Sequence, residues 1–589
     1  MPIYCNFASV MVTKIKIIPR ETKTVAAALS EEMHPILKRI YLARNVSDIR
    51  QTENTLKHLL PATDLKNIEI AVDILAETIA RQQRILIIGD YDADGATSCA
   101  LAVRVLHTFG AKHVDYLVPN RFEYGYGLTP EIVAVAKTKQ PDLIITVDNG
   151  IASIDGVNAA KAANMRVIVT DHHLPGERLP SADAIVNPNQ PGDRFASKHL
   201  AGVGVIFYVM VALRARLREQ HWFEQNRLVE PNMAEYLDLV ALGTVADVVK
   251  LDHNNRILVA QGLARMRAGQ ACAGIRALLK VAGREYQKIT STDLGFFVGP
   301  RLNAAGRLDD MSIGIECLLS NNDNDALEKA HILDSFNRER RQIEQTMREQ
   351  ADIHLNTLFK QAADDALPPA LCLFDPDFHE GVIGILAGRI KEQTHRPVIV
   401  FAPSGDDLIK GSARSIPGLH IRDALDLVAT RHPNLLSKFG GHAMAAGLTI
   451  RKADFAEFNS LFVQTASELL DDDALQRVLH SDGQLAGQEI NMQLAEILRN
   501  AGPWGQGFPE PQFEGKFDIV QRRIVGEHHL KMVLRSGTQH LDAIAFRTTD
   551  EDWPEQVRQV QLVYRLDINE FNGQRSAQLL VEYVEPLSG

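Results

Sequence analysis

Three aspartates at alternate positions, Asp90, Asp92 and Asp94, follow four consecutive aliphatic residues, Ile85-Leu86-Ile87-Ile88. In extended chain, alternate side chains project to one side. Three carboxylates within five residues repel one another unless protons or cations intervene. A hard divalent cation bound through oxygen is the natural remedy. One aspartate here would read as a helix cap; three, after a fully apolar strand, point to a metal site. Two more apolar runs end in polar clusters: Leu143–Val147 runs into Asp148-Asn149-Gly150, and Val167–Thr170 into Asp171-His172-His173. A later apolar segment, Tyr236–Leu242, leads to Asp247, a fourth contribution. A pair of divalent cations can generate hydroxide and stabilise the charge of an in-line phosphoryl displacement. Mixed carboxylates and imidazole suit Mn2+ or Mg2+, with histidine favouring Mn2+.

These residues converge only if the elements between them alternate. Ile85–Ile88 reads as a buried parallel strand, followed by a helix from Thr97. Strand 113–118, helix 129–139, strand 143–147, helix 153–163, strand 167–170 and strand 184–186 come next. Repeated βα units predict an α/β fold with a doubly wound, mostly parallel sheet. Its strand ends share one edge, where ligands bind. Around this domain, placed at 84–322, residues 1–83 read as a helical lead-in. Residues 323–365 form a long connecting helix, roughly 55–60 Å at 1.5 Å per residue, which suits a strut between two lobes. Its Arg338, Arg340 and Arg341 suit either a channel wall or a solvated face. A second α/β lobe spans 366–472, with strands at 370–374 and 398–401 and a glycine-containing helix at 381–389. Gly440-Gly441-His442 reads as a tight turn opening a further helix, whose free N–H groups could hold a phosphate. Residues 473–589 contain five strand-like runs, which suggest a small barrel. Phe546, Tyr564 and Phe571 are candidates there either for stacking bases or for the barrel core.

Length and composition exclude some classes. With 589 residues, 45% hydrophobic and 23% charged, the chain has room for three or four domains with real cores. No run approaches twenty apolar residues, so no membrane span is expected. Residues 1–20 lack a signal-peptide core, and Met11 is an alternative start. Five scattered cysteines without a CxxC pair disfavour zinc and disulfides and fit a reducing cytoplasm. A net charge of −11 neither supports nor excludes a polyanionic substrate, because clefts can be locally basic.

The runs GDYDADG, VDNG, DHH and TVADVV resemble, in order, the four motifs of the DHH phosphoesterase superfamily. PNRFEYGYG (119–127), GPRLNAAGR (299–307), SARS (412–415) and GGH (440–442) resemble its RecJ branch. The resemblance implies a DHH domain and a DHH-associated nucleic-acid-binding domain joined by the long helix, then an OB fold. It implies two cations: Asp90 and Asp92 on one, Asp94, His172 and Asp247 on the other, and Asp148 bridging. His173 is implied near the scissile phosphate, Arg301 or Arg307 as its counter-charge, and Arg121, Ser412 and Arg414 as the grip on a terminal 5′-phosphate. Arg389 and His442 are implied to hold the next nucleotides. The implied activity is 5′-to-3′ exonuclease action on single-stranded DNA, releasing 5′-mononucleotides in repair and recombination. Implied partners are a single-strand-binding protein and a helicase, with the chain itself a monomer. The alternative is a DHH phosphodiesterase of short oligonucleotides or cyclic dinucleotides.

Overall fold

The structure is a computed structural model and describes residues 15–21, 29–119, 127–361, 367–526, 528–551, 553, 556–571 and 573–587. The lead-in is not purely helical. Strand β1 (Lys16–Pro19) pairs in parallel with Val478–Ser481, and helix Pro35–Leu42 precedes helix Ile68–Ala80. Two β-branched isoleucines closed by a proline extend rather than coil.

Strands β2 (Ile85–Ile88), β3 (Val114–Leu117), β4 (Leu143–Val147), β5 (Arg166–Thr170) and β6 (Ala184–Val186) form an all-parallel sheet in the order β3-β2-β4-β5-β6. Ile85, Ile87, Leu143 and Ile145 enter one core with Cys99 and Val103 of helix Ala93–Thr108. Leu86, Ile88, Ile144 and Val167 enter the other with Ile132 and Val157. Burial on both faces explains why these strands are apolar without alternation. The strand order switches direction between β2 and β4, so the crevice at their carboxyl ends is where such sheets take ligands.

Helix Asp323–Gln361 has 39 residues. It is not a free-standing strut: Ala326, Ala330 and Leu333 are buried in the core of the first lobe. Met347, Ala351 and Leu355 are buried in a core of the second. That lobe is a mixed sheet of β7 (Leu371–Phe374), β8 (Val398–Pro403), β9 (Leu408–Arg414), β10 (Lys438–Gly441) and β11 (Ala445–Arg451). Its order is β10-β11-β9-β8-β7, with β7 and β8 parallel and the other pairs antiparallel. The expected helix after Gly440-Gly441 is instead the β10–β11 hairpin. Ala446, Leu448 and Ile450 are buried in alternation, a period of two that overrides the helical look of the run.

Strand β12 (Val478–Ser481) leads into a closed barrel of β13 (Phe513–Val525), β14 (His529–Ser536), β15 (Gln539–Ala545), β16 (Gln559–Phe571) and β17 (Gln574–Leu587). The barrel order is β13-β14-β15-β17-β16, the connectivity of a five-stranded OB barrel. Tyr564 is fully buried in its core and is no stacking platform, Phe546 is partly exposed, and the side chain of Phe571 lies outside the described residues. No helix among the described residues is long and apolar enough to cross a membrane.

The barrel is bolted to the lead-in. Arg44 bonds Asp482 bidentately, at 2.7 and 3.0 Å, and donates to the Pro509 carbonyl at 2.8 Å. Both side chains are buried, and Asp482 also accepts from the Gln512 N–H at 3.0 Å. Removing one partner strands the other charge in the interior. Arg44→Met is expected to cost about 3–5 kcal/mol. The Arg44 guanidinium lies 5.4 Å from the Trp504 ring centroid, so urea unfolding followed by tryptophan fluorescence reads the loss; an unchanged midpoint would refute it.

Candidate metal centre and phosphate pocket

Each acid is delivered by the end of an element. Asp92 caps helix Ala93–Thr108, its Oδ1 accepting from the Asp94 N–H at 2.9 Å and the Gly95 N–H at 3.0 Å. This turns Asp94 inward, where it is fully buried. Its two oxygens accept from the N–H groups of Gly202 (2.6 Å) and Val203 (2.9 Å), at the amino end of helix Gly202–Glu219. Asp148, just past β4, has a left-handed φ of +61°; aspartate tolerates that region better than most residues. Asp247 ends helix Leu237–Ala246. His172 follows β5 and aims Nε2 at Asp148 Oδ1 (3.1 Å) and Asp247 Oδ2 (3.5 Å).

Three groups of ligand atoms result, each within 4.8 Å: Asp90, Asp92 and Asp148; Asp94, His172 and Asp247; Asp148, His172 and His173. All six residues proposed from the sequence as metal ligands are thus brought together. His172 Nε2 and Asp247 Oδ2 are buried yet make no hydrogen bond, which fits a cation as their missing partner.

The electrostatics agree with the crowding. Burial, then the charge of Asp247, raises Asp94 to about 7. Burial, then Asp92, raises Asp247 to about 7. Burial and the charges of Asp94, Asp92, Asp247 and Asp90 hold Asp148 well above the usual carboxylate range. His172 is pushed down by burial and by His173, which favours the neutral, metal-binding imidazole. Burial alone would lower His173 too. Its hydrogen bond to Asp171 (Nδ1 to Oδ1, 2.8 Å) and that residue's charge outweigh it and raise His173 to about 9. Burial opposes ionisation of Asp171, but His173, His172 and the Ile151 N–H hold it below the usual range. Asp171 therefore organises the two histidines.

Several supporting residues escaped sequence reasoning. The Ala93 N–H donates to Asn303 Oδ1 at 2.7 Å. A Cβ on Gly306 would sit 1.8 Å from the Tyr91 carbonyl oxygen. The GPRLNAAGR run thus braces the aspartate loop. Asn187 and Asn189 donate to the His173 and His172 carbonyls at 2.9 and 2.6 Å. Their only sequence signal is two asparagines just after an apolar strand.

The second lobe meets this edge. Gly381 packs on the Arg307 carbonyl, and Arg307 Nη1 donates to the Gly381 carbonyl at 3.4 Å. His442, in the β10–β11 turn, stacks on His173 with centroids 6.2 Å and planes 13° apart. Arg414 and Ser412 on β9 face the amino end of helix Ile383–Thr394: a Cβ on Gly384 would lie 2.9 Å from both Arg414 Nη2 and Ser412 Oγ. Burial lowers Arg414, and no described carboxylate pairs with it. Other expected residues are engaged elsewhere. Arg301 holds one oxygen of Asp334, Oδ1, between Nε (2.9 Å) and Nη2 (2.8 Å) and donates to the Phe297 carbonyl at 2.6 Å. Arg389 pairs with Glu344 at 3.0 Å. Arg338 pairs with Asp334 at 2.8 Å and Arg340 with Glu344 at 2.9 Å. Arg121 lies outside the described residues.

Comparison with known proteins gives three family matches: "DHH family, N-terminal domain" over residues 84–244, "DHHA1 domain" over 368–468 and "RecJ OB domain" over 481–583. The chain is 53% identical over 571 residues to the single-stranded-DNA-specific exonuclease RecJ of Dickeya dadantii (strain 3937), covering 96% of this chain and 99% of that one. The crystal structure of RecJ from Thermus thermophilus in complex with Mn2+ superposes with a TM-score of 0.78 at 30% identity, over 95% of this chain and 77% of that one. The corresponding Mg2+ complex gives 0.72 at 29% identity, over 95% and 76%.

Proposed function

The chain belongs to the RecJ family of single-stranded-DNA-specific exonucleases, and from that premise we propose that it shortens single-stranded DNA from the 5′ end, releasing 5′-mononucleotides. The observation that carries the chemistry is the convergence of five carboxylates and one imidazole at one sheet edge. Asp90 and Asp92 would hold one cation, Asp94, His172 and Asp247 a second, with Asp148 shared between them. Mn2+ or Mg2+ held by these residues would supply the Lewis acidity that activates a water and offsets the charge of the phosphodiester.

The remaining steps fall to side chains. Arg414, with Ser412 and the helix end at Gly384, receives a terminal phosphate, since guanidinium forks and helix amino ends both suit phosphate. His173, whose pKa is raised to about 9 by Asp171 in the metal-free protein, faces the lobe boundary beside His442. It is placed to give a proton to the leaving oxygen. Arg307 is the better counter-charge for the scissile phosphate, because its neighbour Gly306 braces the Tyr91 carbonyl of the aspartate loop. We propose as well that it works as a monomer beside a single-strand-binding protein and a helicase.

A time course with 5′-labelled and 3′-labelled single strands and Mn2+ tests the reading. Labelled mononucleotide should appear at once from the 5′ label, and a descending ladder from the 3′ label. Label leaving the 3′ end first would reverse the polarity, and digestion that persists in excess EDTA would end the metal reading. A backbone variant probes the same centre. A Cβ on Gly202 would lie 2.6 Å from Asp148 Cβ and 2.8 Å from its Oδ1. Gly202→Ala should therefore displace Asp148 and weaken Mn2+ binding about 10–100-fold, the range for supporting residues of metal sites. Calorimetric titration with Mn2+ measures it, and unaltered affinity would show that Asp148 does not hold the ion.

A further inference from the structure

The sheet of the second lobe has one face in the core and one face open. Ile409 and Ala413 of β9, with Ala446, Leu448 and Ile450 of β11, are buried in one core. The residues between them project the other way. On that side helix Ile383–Thr394 covers β7 and β8, where Leu386 and Ile390 share a core with Val398 and Val400. Over β11 and β10 the face is open: Lys438, Gly440 and Gly447 are exposed.

The strand pairings arrange this face in rows. Arg414 stands beside Ala445, next to the turn that carries His442. Ser412 stands beside Gly447, and Gly447 beside Gly440. Lys410 stands beside Thr449, and Thr449 beside Lys438. The lysine row therefore lies on the side of the Arg414–Ser412 pocket opposite His442, and two residues of strand set it about 6.8 Å beyond Ser412. The row between is bare. A Cβ on Gly440 would meet no atom within 4 Å, and one on Gly447 only the Gly411 carbonyl oxygen at 4.0 Å. Neither glycine has a positive φ, so neither backbone conformation nor packing demands them. Glycine inside a strand marks a place where another group approaches the backbone closely. Lys410 is paired with Glu380; among the described residues no carboxylate pairs with Lys438.

We propose that this open face is a subsite for phosphates beyond the terminal one, so that the protein also digests strands ending in a 5′-diphosphate or 5′-triphosphate. A pocket reserved for a monophosphate would close over its outer oxygens. Here the outer side is a glycine floor edged with ammonium groups, and ammonium is a point-charge partner for phosphate. With the α-phosphate at Arg414 and Ser412, the β- and γ-phosphates cross Gly447 and Gly440 toward Lys410, Thr449 and Lys438. The reaction is the one already described. Water adds to the first internucleotide phosphorus, the bond from that phosphorus to O3′ of the terminal nucleotide breaks, and O3′ takes a proton. The first product is then a nucleoside 5′-triphosphate, and every later one a mononucleotide. This rests on the exonuclease reading and on the terminal-phosphate pocket above.

The test uses the full chain with Mn2+ and two single strands of one sequence. One ends in a 5′-monophosphate, the other in a 5′-triphosphate labelled at the γ-phosphorus. The label should leave as nucleoside triphosphate, at a rate comparable to digestion of the monophosphate strand. Lys410→Ala with Lys438→Ala should lower kcat/KM on the triphosphate strand about tenfold more than on the monophosphate strand. Lys438→Glu, a change at an exposed position, should lower the same ratio through KM. A triphosphate strand left intact, or label leaving as phosphate or pyrophosphate, would overturn the subsite while the exonuclease reading stands. So would a ratio that both variants leave at its wild-type value, or equal loss on the two strands. A wild-type protein that digests neither strand would overturn the exonuclease reading and this proposal together.

Discussion

Asp148→Asn is expected to slow single-strand digestion on the order of a thousandfold or more, and at the same time to make the metal-free protein more stable. Asp148 sits where the two ligand groups meet, within reach of Asp90 and Asp92 on one side and His172 on the other. Burial and four neighbouring aspartates hold its carboxyl well above the ordinary carboxylate range. A folded-state pKa raised above the unfolded value means that the ionised group opposes folding at neutral pH. Asparagine keeps the shape and removes the charge, so the metal-free melting temperature should rise. The amide is a poor bridge between cations, so the further rise on adding Mn2+ should shrink. Thermal melts with EDTA and with Mn2+, beside a digestion time course, separate these effects. A variant that digests DNA at the wild-type rate would remove Asp148 from the chemistry. A metal-free variant less stable than wild type would show that the repulsion is relieved in some other way.

That opposition between stability and function was partly legible in the sequence. The acids stood out because strands buried on both faces are continuous apolar runs, so the polar residues that end them are conspicuous. Ile85–Ile88, Leu143–Val147 and Ala184–Val186 needed only this pattern, and the long helix from Asp323 only apolar residues recurring among charges with no proline or glycine between them. The failures share a different cause. Gly440-Gly441 looks like a helix-opening turn, and only the pairing of Gly440 with Gly447 makes it a hairpin. The pairing of Arg301 with Asp334, 33 residues away on another helix, has no local signal in the sequence. Gly202, Asn303 and Gly306 support the aspartates through close approaches that no local spacing encodes. Local periodicity therefore reveals the candidate ligands, while their supports follow from tertiary contact alone.

Arg414→Ala is expected to abolish discrimination between 5′-phosphorylated and 5′-hydroxyl strands. A guanidinium buried without a carboxylate is costly, and Arg414 is in that position: burial alone shifts it, and its bonds go to Ser412 Oγ at 3.2 Å and its neighbour's carbonyl, Ala413, at 2.9 Å. Such a group is held ready for an anion that no described residue supplies. The neighbouring Gly384 leaves the space that anion needs, since a Cβ there would lie 2.9 Å from both polar side chains. Charge-assisted hydrogen bonds contribute about 1.5–3 kcal/mol each, so the wild type should favour the phosphorylated end by roughly 10–100-fold in kcat/KM. In Arg414→Ala the ratio should fall close to one, through loss on the phosphorylated strand alone, and inorganic phosphate should cease to inhibit. Gly384→Ala should lower the same ratio while keeping the arginine, which separates loss of charge from loss of space. If both variants kept the wild-type ratio, the terminal phosphate would have to be held elsewhere and the single-nucleotide register of the cut would need another ruler. Because no described carboxylate compensates this positive charge, Arg414→Ala should also melt no lower than wild type without DNA, so a drop in rate cannot be laid to unfolding.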